Sequence, residues 1–315
     1  MTTSRSWNIK KRIRYSPEVP WIALVSCLML VAVLFVPSKS MQLPGSQLAS
    51  IQVQEGVGVD SCAAGSWTPS QAQWLWNNPL PADGYTPSTI GGYIGGVGSN
   101  PNCTDINSTW ASDISAGLPG WGIIPIYVGY QAPSGCGTNL PQMSIDPSAA
   151  LSQGETDANQ AASLAKSAGF TDVVYDDMEG YDYTSSCDSA VTSYLNGWVY
   201  QLNQDGLVAG VYGSADSTIA GLVGHIGDSG MHEPAYIWTG SGESLWNISS
   251  VPNSDWLNDQ RDVQYGSSSG DGMSWDSDCI DAGSENGMAE STWDNGSLND
   301  SGSSEGNSVS YDYEC

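Results

Sequence analysis

Hydrophobic residues along this chain fall into short runs, separated by longer segments in which apolar positions return with a helical period. Eight runs between residues 57 and 281 are rich in Val, Ile, Tyr and Gly and are bounded by turn-forming residues, as expected of buried strands. These runs are 57–62, 89–96, 122–131, 172–181, 207–214, 235–240, 262–266 and, more weakly marked, 273–280.

Two of the intervening segments are typical of amphipathic helices. From Val191 to Leu202 the apolar residues form one stripe that ends near Gly206, and from Ala158 to Ala168 alanine lines a face that suits close packing on a sheet. Eight strands alternating with helices over about 220 residues predict an α/β fold, a (β/α)8 TIM barrel. A doubly wound open sheet is the alternative that the pattern leaves open.

Both ends of the chain have a different composition from the middle. Basic residues precede an uncharged apolar run of 16 residues at 21–36, which is typical of a signal-peptide core and short for a membrane span of about 20 residues. We therefore expect residues 1–40 to be a signal peptide, or alternatively a membrane anchor, followed by a linker at 41–56. Residues 282–315 are dominated by Gly, Ser, Asn, Asp and Glu, which predicts a flexible acidic low-complexity tail after the barrel at 57–281.

The charge is strongly negative, with a formal net charge of −26 over 315 residues. Six of the eight basic residues lie in the first 40 positions, so the rest of the chain carries 33 acidic residues against only Lys166 and Arg261. Such a surface repels phosphate backbones and anionic lipid headgroups. We therefore expect neither nucleic acid nor an anionic membrane surface as a partner.

The cysteines indicate an oxidising compartment. Outside the apolar run the chain has six cysteines, which is an even number, and it has no CxxC pair and only two histidines. A zinc site is therefore not expected, and disulfides of a secreted or envelope-associated protein are. The predicted pairs are Cys62–Cys103, Cys136–Cys187 and Cys279–Cys315.

The most informative polar residues end the fourth strand-like run. Because side chains alternate along a strand, Tyr175, Asp177 and Glu179 share one face and Asp176 lies on the other. In a TIM barrel the carboxyl ends of the strands carry the active site. Two neighbouring carboxyl groups with different pKa values provide the acid and the base that glycoside cleavage needs. The alternative is an acid-rich strand end without a function.

Other strand ends carry residues of similar character. Asp60 ends the first run and is a further candidate carboxylate, with a helix cap as its alternative role. Aromatic rings beside hydroxyl or amide groups suit a sugar-binding cleft. The candidates for substrate binding are Tyr93, Tyr127, Gln131, Tyr175, Tyr212, Trp238 and Gln264, and Asp276 and Asp278 near the eighth run are weaker candidates.

Motifs of other chemistries are missing from the sequence. It contains no phosphate-binding loop of the GxxxxGK type and no HExxH motif, and its two GxSxG matches, at 266–270 and 302–306, lie in Ser- and Gly-rich stretches that do not predict the strand-to-helix turn of a nucleophile elbow. The glycine-rich segment 91–98 is followed by Ser99 and Pro101 instead of a helix start, so it does not predict a phosphate site. We expect no cofactor and no metal.

Six short motifs occur in an order that matches a known family. They are residues 58–64, 92–96, 124–129 with 131–133, 175–181, 210–214 and 264–265. On these motifs the sequence resembles the domain of unknown function 1906, a family of glycoside-hydrolase-like TIM barrels in secreted and envelope-associated bacterial proteins. The resemblance implies a barrel related to family 25 lysozyme-type glycosidases, with Asp60, Asp177 and Glu179 in the counterpart of the active site.

The leading hypothesis is therefore an exported, monomeric glycosidase that acts on a cell-envelope or extracellular polysaccharide, with peptidoglycan as one candidate. Glu179 would be the general acid, Asp177 would orient the substrate or stabilise the cationic centre, and Asp60 would assist. Two alternatives remain open at this point. One is a catalytically silent barrel that binds envelope glycan, and the other is an acidic surface component whose tail mediates adhesion or hydration.

Overall fold

The computed structural model describes residues 56–282, except 82–83, 118–119, 241–247 and 257–259. Its central feature is a closed barrel of eight strands in chain order, which confirms the predicted barrel and excludes the open sheet. The strands are β1 (Gly56–Ser61), β2 (Thr89–Gly95), β3 (Gly122–Tyr127), β4 (Val173–Met178), β5 (Val208–Gly213), β6 (Tyr236–Thr239), β7 (Gln260–Gly270) and β8 (Met273–Ala282).

The helices pack around the outside of this barrel. They are α1 (Pro69–Asn77), α2 (Ser108–Gly117), α3 (Pro147–Ala168), α4 (Ser185–Gln204) and α5 (Ala220–Gly224), with a 3-10 turn at Ala64–Ser66 and a π-helical turn at Ala215–Ile219. A small residue of α3 also allows close packing against a second helix, which the pattern did not predict. A Cβ atom at Gly154 would lie 2.0 Å from the carbonyl oxygen of Tyr194, so α3 and α4 pack backbone against backbone.

The buried apolar residues form two layers. The larger layer lies between the strands and the helices, and it includes most of the alanine face of α3 and the apolar stripe of α4. The smaller layer fills the barrel interior with buried residues from four strands, β3, β4, β6 and β8: Ile124, Ile126, Val173, Tyr175, Tyr236, Trp238 and Ile280. Because these rings and branched chains fill only part of the interior, polar side chains occupy the rest of it, towards the carboxyl ends of β1 and β4.

The eighth strand departs from the expected strand–helix alternation. β8 follows β7 directly and runs antiparallel to both of its neighbours, β7 and β1. The connection consists of Asp271 and Gly272, whose φ angles are 47° and 75°. Two residues with positive φ are typical of a tight hairpin, and a crossover to a parallel strand would need a dozen or more residues. The last unit of the barrel is therefore a β-hairpin.

Disulfides link the loops at the carboxyl ends of the strands. Cys62 pairs with Cys103 and Cys136 with Cys187, as predicted. Cys279 is also in a disulfide, and its predicted partner, Cys315, lies outside the described residues. The predicted export signal, the linker up to residue 55 and the tail from residue 283 lie outside them too. Within the described part of the chain, no helix has the length and apolar character needed to cross a bilayer.

Candidate functional site

Three carboxyl groups come together where the strands end. Asp60 is the fifth residue of the six-residue strand β1, Asp177 is the fifth of the six in β4, and Glu179 follows β4 directly. Asp60 and Asp177 are each 5% exposed, whereas Glu179 is exposed. We call the open end of the barrel above these residues the mouth.

Strand alternation turns Asp60 and Asp177 into the barrel, and a small neighbour makes room for Asp60. Gly91 on β2 pairs with Asp60. A Cβ atom at Gly91 would lie 2.8 Å from the Cβ of Asp60 and 3.3 Å from the Trp238 ring. Only glycine at this position leaves the interior wide enough for the carboxyl group. Asp60 therefore has no helix-capping role, and α1 is capped by Thr68 instead.

Asp177 has one hydrogen-bonded oxygen and one without a partner. The Tyr93 hydroxyl donates to Oδ2 over 3.1 Å, while Oδ1 is buried and accepts no hydrogen bond from the described residues. Burial raises the pKa of Asp177 to about 7, and the charges of Glu179 and Asp60 add to this effect while the Tyr93 hydrogen bond opposes it. At neutral pH the group is therefore divided between its protonated and ionised forms.

Asp60 reaches the same pKa through different neighbours. Gln264 Nε2 donates to Asp60 Oδ2 over 2.8 Å, and the Tyr212 hydroxyl donates to Gln264 Oε1 over 3.0 Å, which fixes the amide. Burial raises the pKa of Asp60 to about 7, and the charge of Asp276 raises it further. The hydrogen bond from Gln264 and the neighbouring Asp278 carboxyl group act in the opposite direction.

Asp278 of β8 lies beside Asp60 inside the barrel and is 1% exposed. Burial, together with the charges of Asp60, Asp262 and Asp276, raises its pKa well above the usual value. Because the pKa of Asp278 is raised more strongly than that of Asp60, Asp278 keeps its proton to higher pH than Asp60 does.

The structure places the seven predicted binding residues in two groups. Tyr93, Tyr212 and Gln264 are half-buried and lie beside the carboxyl groups, as the hydrogen bonds above show. The other four do not line the mouth. Tyr127 points outwards from the barrel, where its ring stacks on Trp198 and its hydroxyl contacts Gln160 of α3 at 2.9 Å.

The remaining three residues are buried for different reasons. Tyr175 lies on the same face as Asp177 but deeper, and its hydroxyl donates to Asp262. Trp238 is 1% exposed and packs edge-on against the rings of Tyr175 and Tyr212. Gln131 is fully buried, and its side-chain amide bonds to backbone groups instead of facing the mouth.

Asp262 was not among the predicted site residues, although the sequence contained a signal for it. Asp262 lies two residues before the predicted Gln264 on β7, so alternation places its side chain on the same interior face. Asp276 is half-buried and close enough to affect the pKa of Asp60. Among the described residues, no group of three or more His, Cys, Asp or Glu side chains is arranged to hold a metal ion.

An open groove of about 290 Å³ begins one residue beyond Glu179. Its lining is polar and comes from the loops that follow β3, β4 and β5: Gly137, Gly180, Tyr181, Asp182, Ser214, Asp216 and Ser217. The Asp182 backbone N–H donates to the carbonyl oxygen of Cys136, so the Cys136–Cys187 disulfide lies directly behind this groove.

Comparison with known proteins gives one family and a set of distant structures. The model of a family described as Rv2525c-like, glycoside hydrolase-like domain matches residues 80–282. No curated protein matches the chain in sequence. An uncharacterized B. stearothermophilus protein is 17% identical at a TM-score of 0.47, covering 71% of this chain and 95% of that one.

Two further structures are similar to this chain at 11% identity. The catalytic domain of endolysin ply40 from bacteriophage P40 of Listeria monocytogenes has a TM-score of 0.43, with 72% of this chain and 93% of that chain covered. The modular autolysin LytC from Streptococcus pneumoniae has a TM-score of 0.42, with 70% of this chain and 46% of the autolysin covered.

Proposed function

The chain belongs to the Rv2525c-like, glycoside hydrolase-like domain family, and from that membership we propose that it hydrolyses glycosidic bonds in a polysaccharide of the cell envelope or the extracellular space. Peptidoglycan is the first substrate to test, and a kinship with family 25 lysozyme-type glycosidases is part of the proposal. The observation that carries it is the set of three carboxyl groups at the mouth, two buried with raised pKa values and one exposed.

Glu179 is the general acid in this proposal. A proton donor has to reach the glycosidic oxygen of a bound glycan, and Glu179 is the exposed member of the three, whereas Asp177 lies beneath Tyr93. Protonation of the leaving oxygen by a positioned carboxylic acid is the first requirement of glycoside cleavage. The half-buried Tyr93 and Tyr212 offer ring faces and hydroxyl groups beside it.

Asp177 and Asp60 supply negative charge below the mouth. The transition state of glycoside cleavage carries positive charge on the sugar ring, which an ionised carboxylate stabilises strongly in a buried site. Oδ1 of Asp177 is buried and accepts no hydrogen bond from the described residues, so its charge is not offset by a donor there. Because both acids have a pKa of about 7, this charge is present mainly above pH 7.

The charge distribution favours a neutral glycan over an anionic one. Beyond residue 40 the sequence has only Lys166 and Arg261 as strong cations. Lys166 lies at the carboxyl end of α3, away from the mouth, and Arg261 is buried and donates to the carbonyl oxygens of Pro252 and Asp255. Uronic acids or phosphates at the mouth would meet unscreened carboxylates. The groove beyond Glu179 offers space for further sugar units of such a chain.

The proposal includes export and domain organisation. Disulfides at the mouth are typical of a protein that folds in an oxidising, extracytoplasmic compartment. We take residues 1–40 as the export signal or anchor, 41–56 as linker, 57–281 as the catalytic barrel and 282–315 as an acidic tail. The protein acts as a monomer without a cofactor.

The decisive experiment is hydrolysis of a polysaccharide by the disulfide-bonded protein. Release of reducing ends is measured on purified peptidoglycan and on neutral and acidic polysaccharides, for the unaltered protein, Glu179→Gln and the matched control Glu155→Gln on α3. Glu179→Gln removes the proton donor with little change of shape, so its rate should fall roughly 10²–10⁴-fold, while Glu155→Gln should keep full activity.

One outcome would contradict the role of Glu179, and another would contradict hydrolysis itself. If Glu179→Gln is as active as Glu155→Gln, Glu179 is not the general acid. If no polysaccharide is cleaved but one is bound, and Glu179→Gln or Asp177→Asn weakens that binding, the protein is a glycan-binding barrel without catalysis.

A further inference from the structure

The backbone pairing between β3 and β4 stops before the candidate carboxyl groups. Its last partners are Tyr127 and Asp176. Beyond Tyr127 the chain leaves the sheet, and the strand β4 itself ends at Met178. Glu179 therefore lies one residue past the regular strand, at a position where backbone pairing with β3 no longer defines its direction.

The side chain of Gln131 takes the place of the missing backbone partner. Its Nε2 donates to the carbonyl oxygen of Asp177 over 2.7 Å, and its Oε1 accepts from the backbone N–H of Glu179 over 2.8 Å. In a parallel sheet one residue bonds in the same way to the two residues that flank its partner. The carboxamide therefore adds one rung to the β3–β4 ladder, centred on Met178.

We propose that Gln131 is a positioning residue that keeps Glu179 on the same face of β4 as Asp177, so that the acid and the charged group act on one sugar ring. The inference rests on the proposed hydrolysis. The added rung extends the strand conformation by one residue, and strand alternation then holds for Glu179 as it does for Asp177. Without the rung, no backbone hydrogen bond to β3 fixes the direction of Glu179.

Gln131 is itself fixed on every side. Its backbone N–H donates to the carbonyl oxygen of Pro141 over 2.7 Å, and its own carbonyl oxygen accepts from the N–H of Met143 over 2.8 Å. The N–H of Tyr130 donates to Oδ2 of the buried Asp157 over 2.9 Å. Because Gln131 is fully buried, water does not compete for its amide. A rigidly held amide positions a neighbour better than a mobile one does.

The test replaces the amide with a side chain of similar size that cannot bond. In Gln131→Met the carbonyl oxygen of Asp177 and the N–H of Glu179 lose their partners, and Glu179 is free to move. The matched control is Gln142→Met in the same loop, whose amide donates to the carbonyl oxygen of Thr138 and does not contact β4. All variants are first checked for intact disulfides and for a melting transition.

The first readout needs no substrate, because it follows the titration of the Asp177 carboxyl group by carbon-13 NMR. The titratable groups around it are Glu179, Asp60, Tyr93, Tyr212 and, on the outer face of β4, Asp176, and the charge of Glu179 raises the pKa of Asp177. In Gln131→Met the charged Glu179 side chain moves away from Asp177, and in Glu179→Gln the charge is absent. Both variants should therefore lower the pKa of Asp177 by about the same amount. Gln142→Met should leave it unchanged, because its amide does not bond to β4.

The second readout is the split between kcat and KM on a cleaved glycan. Misplacing a catalytic group by about 1 Å costs on the order of 10²-fold in rate. Gln131→Met should therefore lower kcat by on the order of 10²-fold and leave KM within a factor of about three. Relative to the unaltered protein at the same pH, Gln131→Glu should keep kcat at low pH, where its protonated carboxyl can donate to the Asp177 carbonyl and still accept from Glu179. It should lose kcat relative to the unaltered protein as that carboxyl ionises.

The outcomes separate this inference from the proposed hydrolysis. If the unaltered protein cleaves no glycan, the hydrolase fails, and the titration of Asp177 still decides the role of Gln131. An Asp177 titration in Gln131→Met that equals that of Gln142→Met overturns the positioning role. So does an unchanged kcat on a substrate that Glu179→Gln no longer cleaves.

Discussion

At the scale of single residues, Asp60 and Asp177 illustrate how one barrel interior gives two acids a similar pKa through different contacts. The side-chain amide of Gln264 donates a hydrogen bond to Asp60, and the phenol of Tyr93 donates one to Asp177. Each of these donors stabilises the ionised form and so limits the rise in pKa caused by burial. Removing one donor should therefore move one acid and not the other.

We predict that Tyr93→Phe raises the pKa of Asp177 above about 7, because the hydrogen bond that opposes the effect of burial is lost. If ionised Asp177 stabilises the transition state, the rate rises with pH through about 7 in the unaltered protein. In Tyr93→Phe this rise should shift to higher pH. Carbon-13 NMR of the Asp177 carboxyl group measures the pKa, and the pH dependence of kcat measures the shift of the rate profile.

The control for this prediction is Tyr212→Phe, since Tyr212 donates to Gln264 and not to Asp177. It should leave the Asp177 titration close to that of the unaltered protein. A rate that falls with increasing pH through about 7 would instead assign the catalytic proton to Asp177. Equal shifts of Asp177 in Tyr93→Phe and Tyr212→Phe would contradict the role of the Tyr93 hydrogen bond.

The sequence allowed part of this site to be predicted. Alternation from Tyr175 to Glu179 was enough to place Asp177 on the inner face and Asp176 on the outer one, where the Asp176 carboxyl lies 3.4 Å from the Tyr194 hydroxyl of α4. Alternation could not distinguish a residue at the mouth from a residue two positions earlier on the same strand, which lies roughly 7 Å deeper in the barrel. Tyr175 was therefore placed on the correct face but too near the opening.

Tyr127 shows a second limit of the pattern. The run that contains it is continuously apolar, and all six residues of β3 are buried. With both faces covered, such a strand has no polar–apolar alternation from which to read the direction of a side chain. The role of Gln131 could not be predicted from the sequence either, because the hydrogen bonds of its amide to the backbone of β4 depend on the path of a loop.

At the scale of elements, the hairpin β7–β8 replaces the last strand–helix–strand unit. The pattern located both strands but not their antiparallel direction, and it ended the first one at residue 266 although β7 extends to Gly270. The missed part is Ser267–Gly270, and serine and glycine have little strand propensity in themselves. Pairing with Met273–Asp276 keeps this segment extended, so tertiary contacts override local preference.

We predict that Gly272→Ala lowers the free energy of unfolding by roughly 1–2 kcal/mol, because Gly272 has a φ of 75° that L-residues with a Cβ adopt at that cost. No atom lies within 4 Å of the added Cβ, so steric contact does not contribute. The measurement is urea unfolding of the disulfide-bonded protein at a fixed pH.

Gly266→Ala is the matched control in the same strand pair. Its added Cβ is equally free of contacts, and its φ is not in the positive range. It should change the free energy of unfolding by less than about 0.5 kcal/mol. If both substitutions cost the same, the turn conformation is not the cause.

At the scale of the whole molecule, the chain combines a large negative charge with buried acids. Burial raises the pKa values of Asp60, Asp157, Asp176, Asp177 and Asp278 above their usual range. A carboxyl group whose pKa is higher in the folded state makes its full contribution to stability at pH values below its unfolded pKa, which is near 4. That contribution is lost as pH rises through the folded pKa, which is about 7 for Asp60 and Asp177.

We therefore predict that the Tm is highest near pH 4–5 and falls on the way to pH 8. A loss of a few kcal/mol lowers the Tm of a domain of this size by on the order of 10 °C. Scanning calorimetry of the disulfide-bonded protein from pH 4 to pH 8 measures the change. Salt at about 0.5 M screens charges on the surface but screens buried groups much less. Most of the fall in Tm should therefore persist at that salt concentration.

A Tm that climbs from pH 4 to pH 8 would contradict this account of the buried acids. A fall that disappears in high salt would place its cause in repulsion between surface carboxylates. In that case the interior groups around Asp60 and Asp278 would not govern the pH dependence.

The reversed direction of β8 determines where the polypeptide enters and leaves the barrel. Gly56 at the start of β1 pairs with Ile280 near the end of β8, so the chain arrives and departs at the same rim. Asp60, which marks the opposite rim, pairs instead with Asp276 early in β8. Both points at which the barrel continues into the rest of the chain therefore lie at the rim opposite the mouth. A label or a further domain joined before β1 or after β8 is attached at that rim, away from the carboxyl groups of Asp60 and Asp177.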